Sequence, residues 1–253
     1  MSTQKRTPSA IDWKLSATNV LDDENITSKL KESSNLFLGT FEMEPFFYHV
    51  LQEEVGNNAN TTMLVHSQYT MEALSVAGKV SANDPLKKLK TISYDNERHE
   101  WVPISVNSGV DGCGGKLLFL PFALKLHWVL VVMRLPSDKS IFPAYLYDSL
   151  PGHYSKEDLR ILTIATTLIV ERILGWPPGD DVCVHLIRKE SPEQRKGSNN
   201  CAIHVLQTFR ILATRTQKIG QAIMKVPDYQ RVTRPSLLQL IQNGAMQYQA
   251  PRR

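Results

Sequence analysis

The chain has 253 residues, which is enough to bury a full hydrophobic core as one large domain. Apolar residues make up 42% of the chain and charged residues 21%, a composition that excludes a disordered or fibrous protein. The formal net charge of +4 is too small to require nucleic acid as a partner.

The three cysteines indicate the compartment. Cys113, Cys183 and Cys201 are too few for a disulfide framework, so we expect an intracellular protein of the nucleus or cytoplasm. They lack the Cys-x-x-Cys spacing of a structural zinc site. The N-terminus has no signal-peptide core, and charged residues and a histidine interrupt the longest apolar tract, residues 117–135, so we expect no export and no membrane span.

The first half of the chain is predicted to be mainly helical. One helix is expected to begin at Asp22-Asp23-Glu24, a second at Glu44-Pro45, and a third over Ser67–Ala77. The predicted organisation is a disordered N-terminus over residues 1–10, a single catalytic domain over residues 11–245 and a flexible tail over residues 246–253.

Two strands follow, Leu126–Leu135 and Ala144–Tyr147, with Pro-Ser-Asp-Lys turn chemistry between them. In a simple antiparallel hairpin, residues equidistant from the turn pair with each other. The midpoint between His127 and Asp148 falls inside the turn, so we expect the two residues to lie side by side. Pro143 lacks a ladder donor and can shift this register.

The second half of the chain alternates helix and strand. Ser155 and Asp158 form a capping-box pattern at the start of a long helix that closes at Gly175. A short strand is predicted over residues 182–187, and a polar loop over residues 188–200.

Cys201 is predicted to lie at a helix N-terminus. Backbone N–H groups and the helix dipole there favour a thiolate over a thiol. Cys113, in a glycine-rich segment, is the rival nucleophile, whereas Cys183 is flanked by valines and is expected in the core. The apolar face of the helix consists of Ala202, Val205, Leu206, Phe209, Leu212 and Ala213.

His127, Asp148 and Cys201 together give the order of a cysteine protease triad. A thiolate nucleophile needs a nearby imidazole, and the imidazole needs an acceptor that fixes its tautomer. Each residue alone also fits an ordinary structural role, as a core histidine, a strand-end aspartate or a small buried cysteine. Their joint order favours catalysis.

The same stretches resemble the ubiquitin-like-specific (SUMO-type) cysteine protease family, within the papain-like and adenovirus-protease-like group. The resemblance implies an α+β papain-like fold, in which helices pack on a central, mostly antiparallel sheet and the nucleophile begins a helix. The matching stretches are Val20–Ile26, Val102–Ile104, His127–Val132, Tyr145–Ser149 and Gln194–Ala202.

The resemblance also implies the roles of individual residues. His127 would be the general base, Asp148 its orienting acceptor, Cys201 the nucleophile and Gln194 the oxyanion donor. Gln194 lies seven residues before Cys201, where the family usually has six, so the loop is one residue longer.

Substrate contacts are implied for Trp128 and Asp23. Trp128 would form one wall of the tunnel for the diglycine tail, while Val20 stands where the family has the second tryptophan. Asp23 matches an aspartate that contacts the modifier, and it equally suits a helix N-cap.

The expected function is cleavage after the Gly-Gly tail of SUMO or a related modifier, so the expected partners are ubiquitin-like proteins and their conjugates. No metal, organic cofactor, nucleic acid or membrane is required by this chemistry. Two alternatives stay open, a processing protease of viral or mobile-element type and a catalytically inactive modifier-binding module.

Overall fold

The protein was analysed as a computed structural model, which describes residues 24–31, 34–51, 62–79, 117–135, 141–174, 183–189, 191–215 and 232–247. Within these ranges it has six helices and five strands. In chain order they are α1 Glu24–Lys29, α2 Thr40–His49, β1 Thr62–Leu64, α3 Ser67–Ala77, β2 Leu117–Leu124, β3 His127–Arg134, β4 Ile141–Tyr147, α4 Lys156–Leu174, β5 Cys183–Lys189, α5 Cys201–Arg215 and α6 Arg234–Gln247.

The five strands form one mixed sheet in the order β1-β2-β3-β4-β5. The central strands β2, β3 and β4 pair antiparallel, and the outer strands β1 and β5 join them in parallel. Helices pack against this sheet, which confirms the expected α+β fold. No helix among the described residues is long and apolar enough to cross a membrane.

Strand β3 shows why the apolar tract is nearly continuous. Trp128, Leu130 and Val132 point into one hydrophobic cluster, together with side chains of α2, α5 and α6. The alternate residues of the strand, Val129 and Val131 among them, point into a second cluster with α3 and α4. Because both faces of the sheet are covered, neither set of alternate positions can be polar.

Several predicted elements are confirmed, and some bounds differ. The helix over Ser67–Ala77 has the predicted bounds. Helix α2 begins at Thr40 rather than at Glu44, because the Glu42 carboxylate accepts the Gly39 N–H at 2.7 Å and so caps an earlier turn. Strand β5 continues through Lys189, so the loop predicted from residue 188 begins later.

The capping box before α4 is also confirmed. The Ser155 N–H donates to Asp158 Oδ2 at 2.8 Å, and the Asp158 N–H donates to Ser155 Oγ at 3.2 Å. Strands β1 and β2 were not predicted. Helix α6 ends at Gln247 and so includes residues 246 and 247 of the predicted tail.

The register between β3 and β4 differs from the predicted one by two residues. Leu130 pairs with Tyr147 and Val132 with Tyr145, so His127 is not directly opposite Asp148. The ladder begins at Ala144, immediately after the proline that has no N–H to donate. A shift of two residues keeps every side chain on its face, so His127 and Asp148 become diagonal neighbours within reach of each other.

Candidate active site

His127 is the first residue of β3 and lies directly after a tight turn. The turn residues Lys125 and Leu126 have φ of 53° and 56°, and Leu124 pairs with His127 across the hairpin. The Tyr154 hydroxyl lies 2.9 Å from the carbonyl oxygen of His127 and 3.2 Å from that of Leu124. The Tyr154 hydroxyl therefore contacts the carbonyl groups on both sides of the turn that precedes the imidazole.

Asp148 follows the last residue of β4, and its side chain meets the imidazole of His127. The distance from His127 Nε2 to Asp148 Oδ1 is 2.8 Å, and both residues are buried. Oδ1 also accepts the Leu150 N–H at 2.9 Å, and the Ser191 hydroxyl donates to the Asp148 carbonyl at 2.9 Å. These bonds fix the carboxylate and leave Nδ1 as the ring nitrogen available to a nucleophile.

Cys201 begins α5, as predicted, and is 2% exposed. The Asn200 carbonyl accepts the His204 N–H at 3.1 Å, so Asn200 caps the helix and Cys201 occupies its first turn. The unpaired N–H groups of this turn and the helix dipole favour negative charge on the sulfur.

The pKa of His127 reports the contact between the three side chains. Burial lowers this pKa, but hydrogen bonds to Asp148 and Cys201, with the negative charges of both groups, outweigh burial and raise it to about 9. An imidazolium is therefore favoured at neutral pH. The sulfur of a cysteine beside such an imidazolium can attack a carbonyl carbon, and the imidazolium can then protonate the leaving amine.

Gln194 lies in the loop before α5, close to the end of β4. Its Nε2 donates to the Ser198 carbonyl at 3.0 Å, and its Oε1 accepts the Ser149 hydroxyl at 3.2 Å. The Gln194 N–H donates to the Ser149 carbonyl at 2.8 Å. Since an amide nitrogen carries two hydrogens, one remains for an oxyanion.

Trp128 is 2% exposed and packs inside the core. Its indole N–H donates to the Leu38 carbonyl at 2.7 Å, and its ring stacks on Phe37 with centroids 6.3 Å apart. The ring of Trp128 is therefore covered by protein in this structure and does not face solvent.

Other predicted residues lie outside the described ranges. They include Asp23, Val20 and the rival nucleophile Cys113. Cys183 is the first residue of β5.

The structure places further side chains at the site that no motif indicated. The His153 ring is exposed and lies 4.9 Å from the His127 ring, centroid to centroid. Tyr154 adds a third ring, 5.5 Å from His127. Both residues immediately precede the capping box of α4. The predicted start of that helix was the sequence signal nearest to them. Among the described residues, no group of three or more histidine, cysteine, aspartate or glutamate side chains could hold a metal ion.

The sequence of residues 43–234 matches the family described as "Ulp1 protease family, C-terminal catalytic domain". The chain belongs to the Ulp1 protease family. It is therefore a cysteine protease, and Cys201 at a helix N-terminus is its candidate nucleophile. No curated protein sequence matches the chain.

Solved structures of Ulp1-type proteases share the fold. The chain is similar to a SUMO protease Ulp1 whose catalytic cysteine is oxidized to a sulfinic acid, with a TM-score of 0.51, 15% identity and 97% of each chain covered. It is also similar to a de-sumoylating protease, with a TM-score of 0.50, 11% identity, and 88% of this chain and 78% of that chain covered. At these identities the likeness concerns the fold alone.

Proposed function

We propose that this Ulp1-family protease cleaves after the Gly-Gly tail of SUMO or a related ubiquitin-like modifier, with His127, Asp148 and Cys201 as its triad. The observation that carries the proposal is the buried imidazole of His127, which bonds Asp148 at 2.8 Å and faces a cysteine in the first turn of a helix. Family membership and two similar structures described as SUMO proteases support the substrate class.

The chemistry proceeds in two stages. The Cys201 thiolate attacks the carbonyl carbon of the last glycine, and the π electron pair of the C=O bond moves to oxygen, which the Gln194 amide stabilises. His127 then donates its proton to the leaving amine as the C–N bond breaks, the C=O bond forms again and a thioester results. Water, deprotonated by the now neutral His127, attacks the thioester carbon. The C–S bond breaks, the carboxylic acid product is released, and the thiolate-imidazolium pair is restored.

The proposal is tested with propargylamide probes built on SUMO, on other ubiquitin-like modifiers and on ubiquitin. We expect a covalent adduct with SUMO or a related modifier that disappears in Cys201→Ala and in His127→Ala, since the first variant lacks the nucleophile and the second the base. Intact-mass analysis measures the adduct, and Cys113→Ala serves as the matched control that keeps full labelling.

Each other outcome identifies a different function. Binding of a modifier without an adduct would indicate the inactive binding module, and failure to bind or react with any probe would favour the processing protease. Loss of labelling in folded Cys113→Ala would contradict the assignment of Cys201. With this substrate, we expect the protein to act in the nucleus or cytoplasm. Its partners there would be the conjugates of the modifier.

A further inference from the structure

Arg234 is a buried cation beside the candidate nucleophile. It is the first residue of α6 and is 4% exposed. Within the part of the chain that the structure describes, its guanidinium forms no ion pair with a carboxylate. A buried charge without a direct counter-ion is costly, so the position calls for a physical reason.

The guanidinium binds the residues that immediately precede Cys201. Its Nη2 donates to the Asn199 carbonyl at 3.0 Å, and its Nε donates to Asn200 Oδ1 at 3.2 Å. Asn200 caps the helix of the nucleophile. Arg234 therefore fixes both the backbone and the side chain at the start of α5.

The same guanidinium ties this turn to the N-terminal part of the domain. Nη2 also donates to the Leu36 carbonyl at 2.6 Å, and Nη1 donates to the Lys29 carbonyl. Asn35 reinforces the connection, because its Oδ1 accepts the Asn199 N–H at 2.8 Å and its carbonyl accepts the Asn199 side-chain amide at 2.7 Å. The turn before Cys201 is thus clamped between two segments distant in sequence.

Electrostatics links Arg234 to the sulfur. Burial lowers the pKa of Arg234, while the negative charges of Cys201 and Glu42 act in the opposite direction and favour the charged guanidinium. Both Glu42 oxygens already have partners, Lys29 Nζ at 2.8 Å and the Gly39 N–H at 2.7 Å. Glu42 therefore acts on Arg234 through its charge and not through a hydrogen bond.

We propose that Arg234 is a positioning residue of the nucleophile, which sets the first turn of α5 through Asn199 and Asn200. The inference rests on the proposed role of Cys201. Three titratable or charged groups of the described residues interact electrostatically with Cys201: His127 from β3, Tyr154 just before α4, and Arg234 from α6. Asp148 bonds His127.

The test measures how fast iodoacetamide alkylates Cys201 as a function of pH, with the Cys201 peptide quantified by mass spectrometry. Arg234→Gln removes the guanidinium that holds Asn199 and Asn200, so we expect Cys201 to be alkylated roughly tenfold more slowly across the pH range. Arg234→Lys lacks the planar fork that reaches both residues, so it should slow alkylation as well. Arg160→Gln, at an exposed ion pair on α4, is the matched control and should leave the profile unchanged.

A second measurement separates attack by the sulfur from binding of the substrate. With SUMO-aminomethylcoumarin as substrate, we expect Arg234→Lys to lower kcat roughly tenfold with little change in KM, because a displaced sulfur impairs attack rather than binding. This measurement also decides the matter if Arg234→Gln does not fold.

The inference is overturned if folded Arg234→Gln keeps the native rate of alkylation, or if Arg234→Lys has the native kcat. The failure of the proposed function looks different, because the native protein would then show no fast alkylation of Cys201 at neutral pH and no SUMO turnover.

Discussion

The carboxylate of Asp148 holds the imidazole of His127 and favours its protonated form. Its Oδ1 bonds His127 Nε2 at 2.8 Å and also accepts the Leu150 N–H at 2.9 Å. Within the described residues, its other oxygen, Oδ2, is buried and has no hydrogen-bond partner. The positive charge on His127 is therefore the main compensation for this buried anion.

Asp148→Asn tests that role. An asparagine lacks the negative charge, and its amide nitrogen, when it takes the position of Oδ1, donates to Nε2 and loses the bond to the Leu150 N–H, which favours the wrong tautomer of His127. In the Ser-His-Asp proteases the equivalent change lowers kcat about 10⁴-fold, and we expect a loss of roughly 10²- to 10⁴-fold here. Steady-state turnover of the modifier that the probes identify measures it. A folded variant with native kcat/KM would show that Asp148 does not orient the base.

The raised pKa of His127 also makes stability depend on pH. The pKa of about 9 in the folded protein lies above the ordinary value of 6.5, which the imidazole regains on unfolding. The folded state therefore binds the proton more tightly, and this contribution is complete below pH 6.5 and is lost as the pH rises through 9. We expect the free energy of unfolding to fall over this range in urea titrations.

His127→Ala is the control for the pH dependence, because it removes the titrating group. Its stability should change less between pH 6.5 and 9 than that of the native protein. An equal slope in the two proteins would assign the pH dependence to another group.

At the scale of elements, the turn between β2 and β3 carries backbone strain. Lys125 and Leu126 both have positive φ, which costs roughly 1–2 kcal/mol for a residue with a Cβ, and Leu126 is 79% exposed. Leu126→Gly should therefore stabilise the protein by about 1 kcal/mol, since it relieves strain and loses no core contact. Thermal and urea unfolding measure the change.

Met71→Gly is the matched control, since Met71 is also an exposed apolar residue but lies inside helix α3. Glycine in a helix interior costs about 1 kcal/mol, so this variant should lose stability. If both variants lose stability by the same amount, the turn is not strained.

The sequence predicted the elements that have a local pattern and missed strands β1 and β2. Helix α5 was predicted because its apolar residues recur with helical spacing, and α4 because its capping box is local. Strand β2 was missed because Leu117–Leu135 forms one apolar tract, and its division at Lys125-Leu126 uses residues that are unusual in a tight turn. Strand β1 has only three residues, too few to show an alternating pattern.

The residues of the candidate site come from distant parts of the sequence, and Arg234 bonds a carbonyl as far away as Lys29. His127, Asp148 and Cys201 could be proposed as a triad from the sequence because each lies in a short motif, although the register that joins the first two differs by two residues from the expected one. Arg234 was not predicted, because it binds backbone carbonyls up to 205 residues away in sequence, and any residue type can supply a carbonyl.

That separation has a consequence in time. The residues proposed to cut the substrate are all synthesised by position 201, whereas the arginine that fixes the nucleophile's turn emerges 34 residues after Asn200. Local helices and hairpins form within microseconds, but contacts between distant parts of a chain must wait for both ends. We therefore expect a nascent chain to hold its catalytic side chains in an unready state until residue 234 has left the ribosome, which would delay proteolysis during translation.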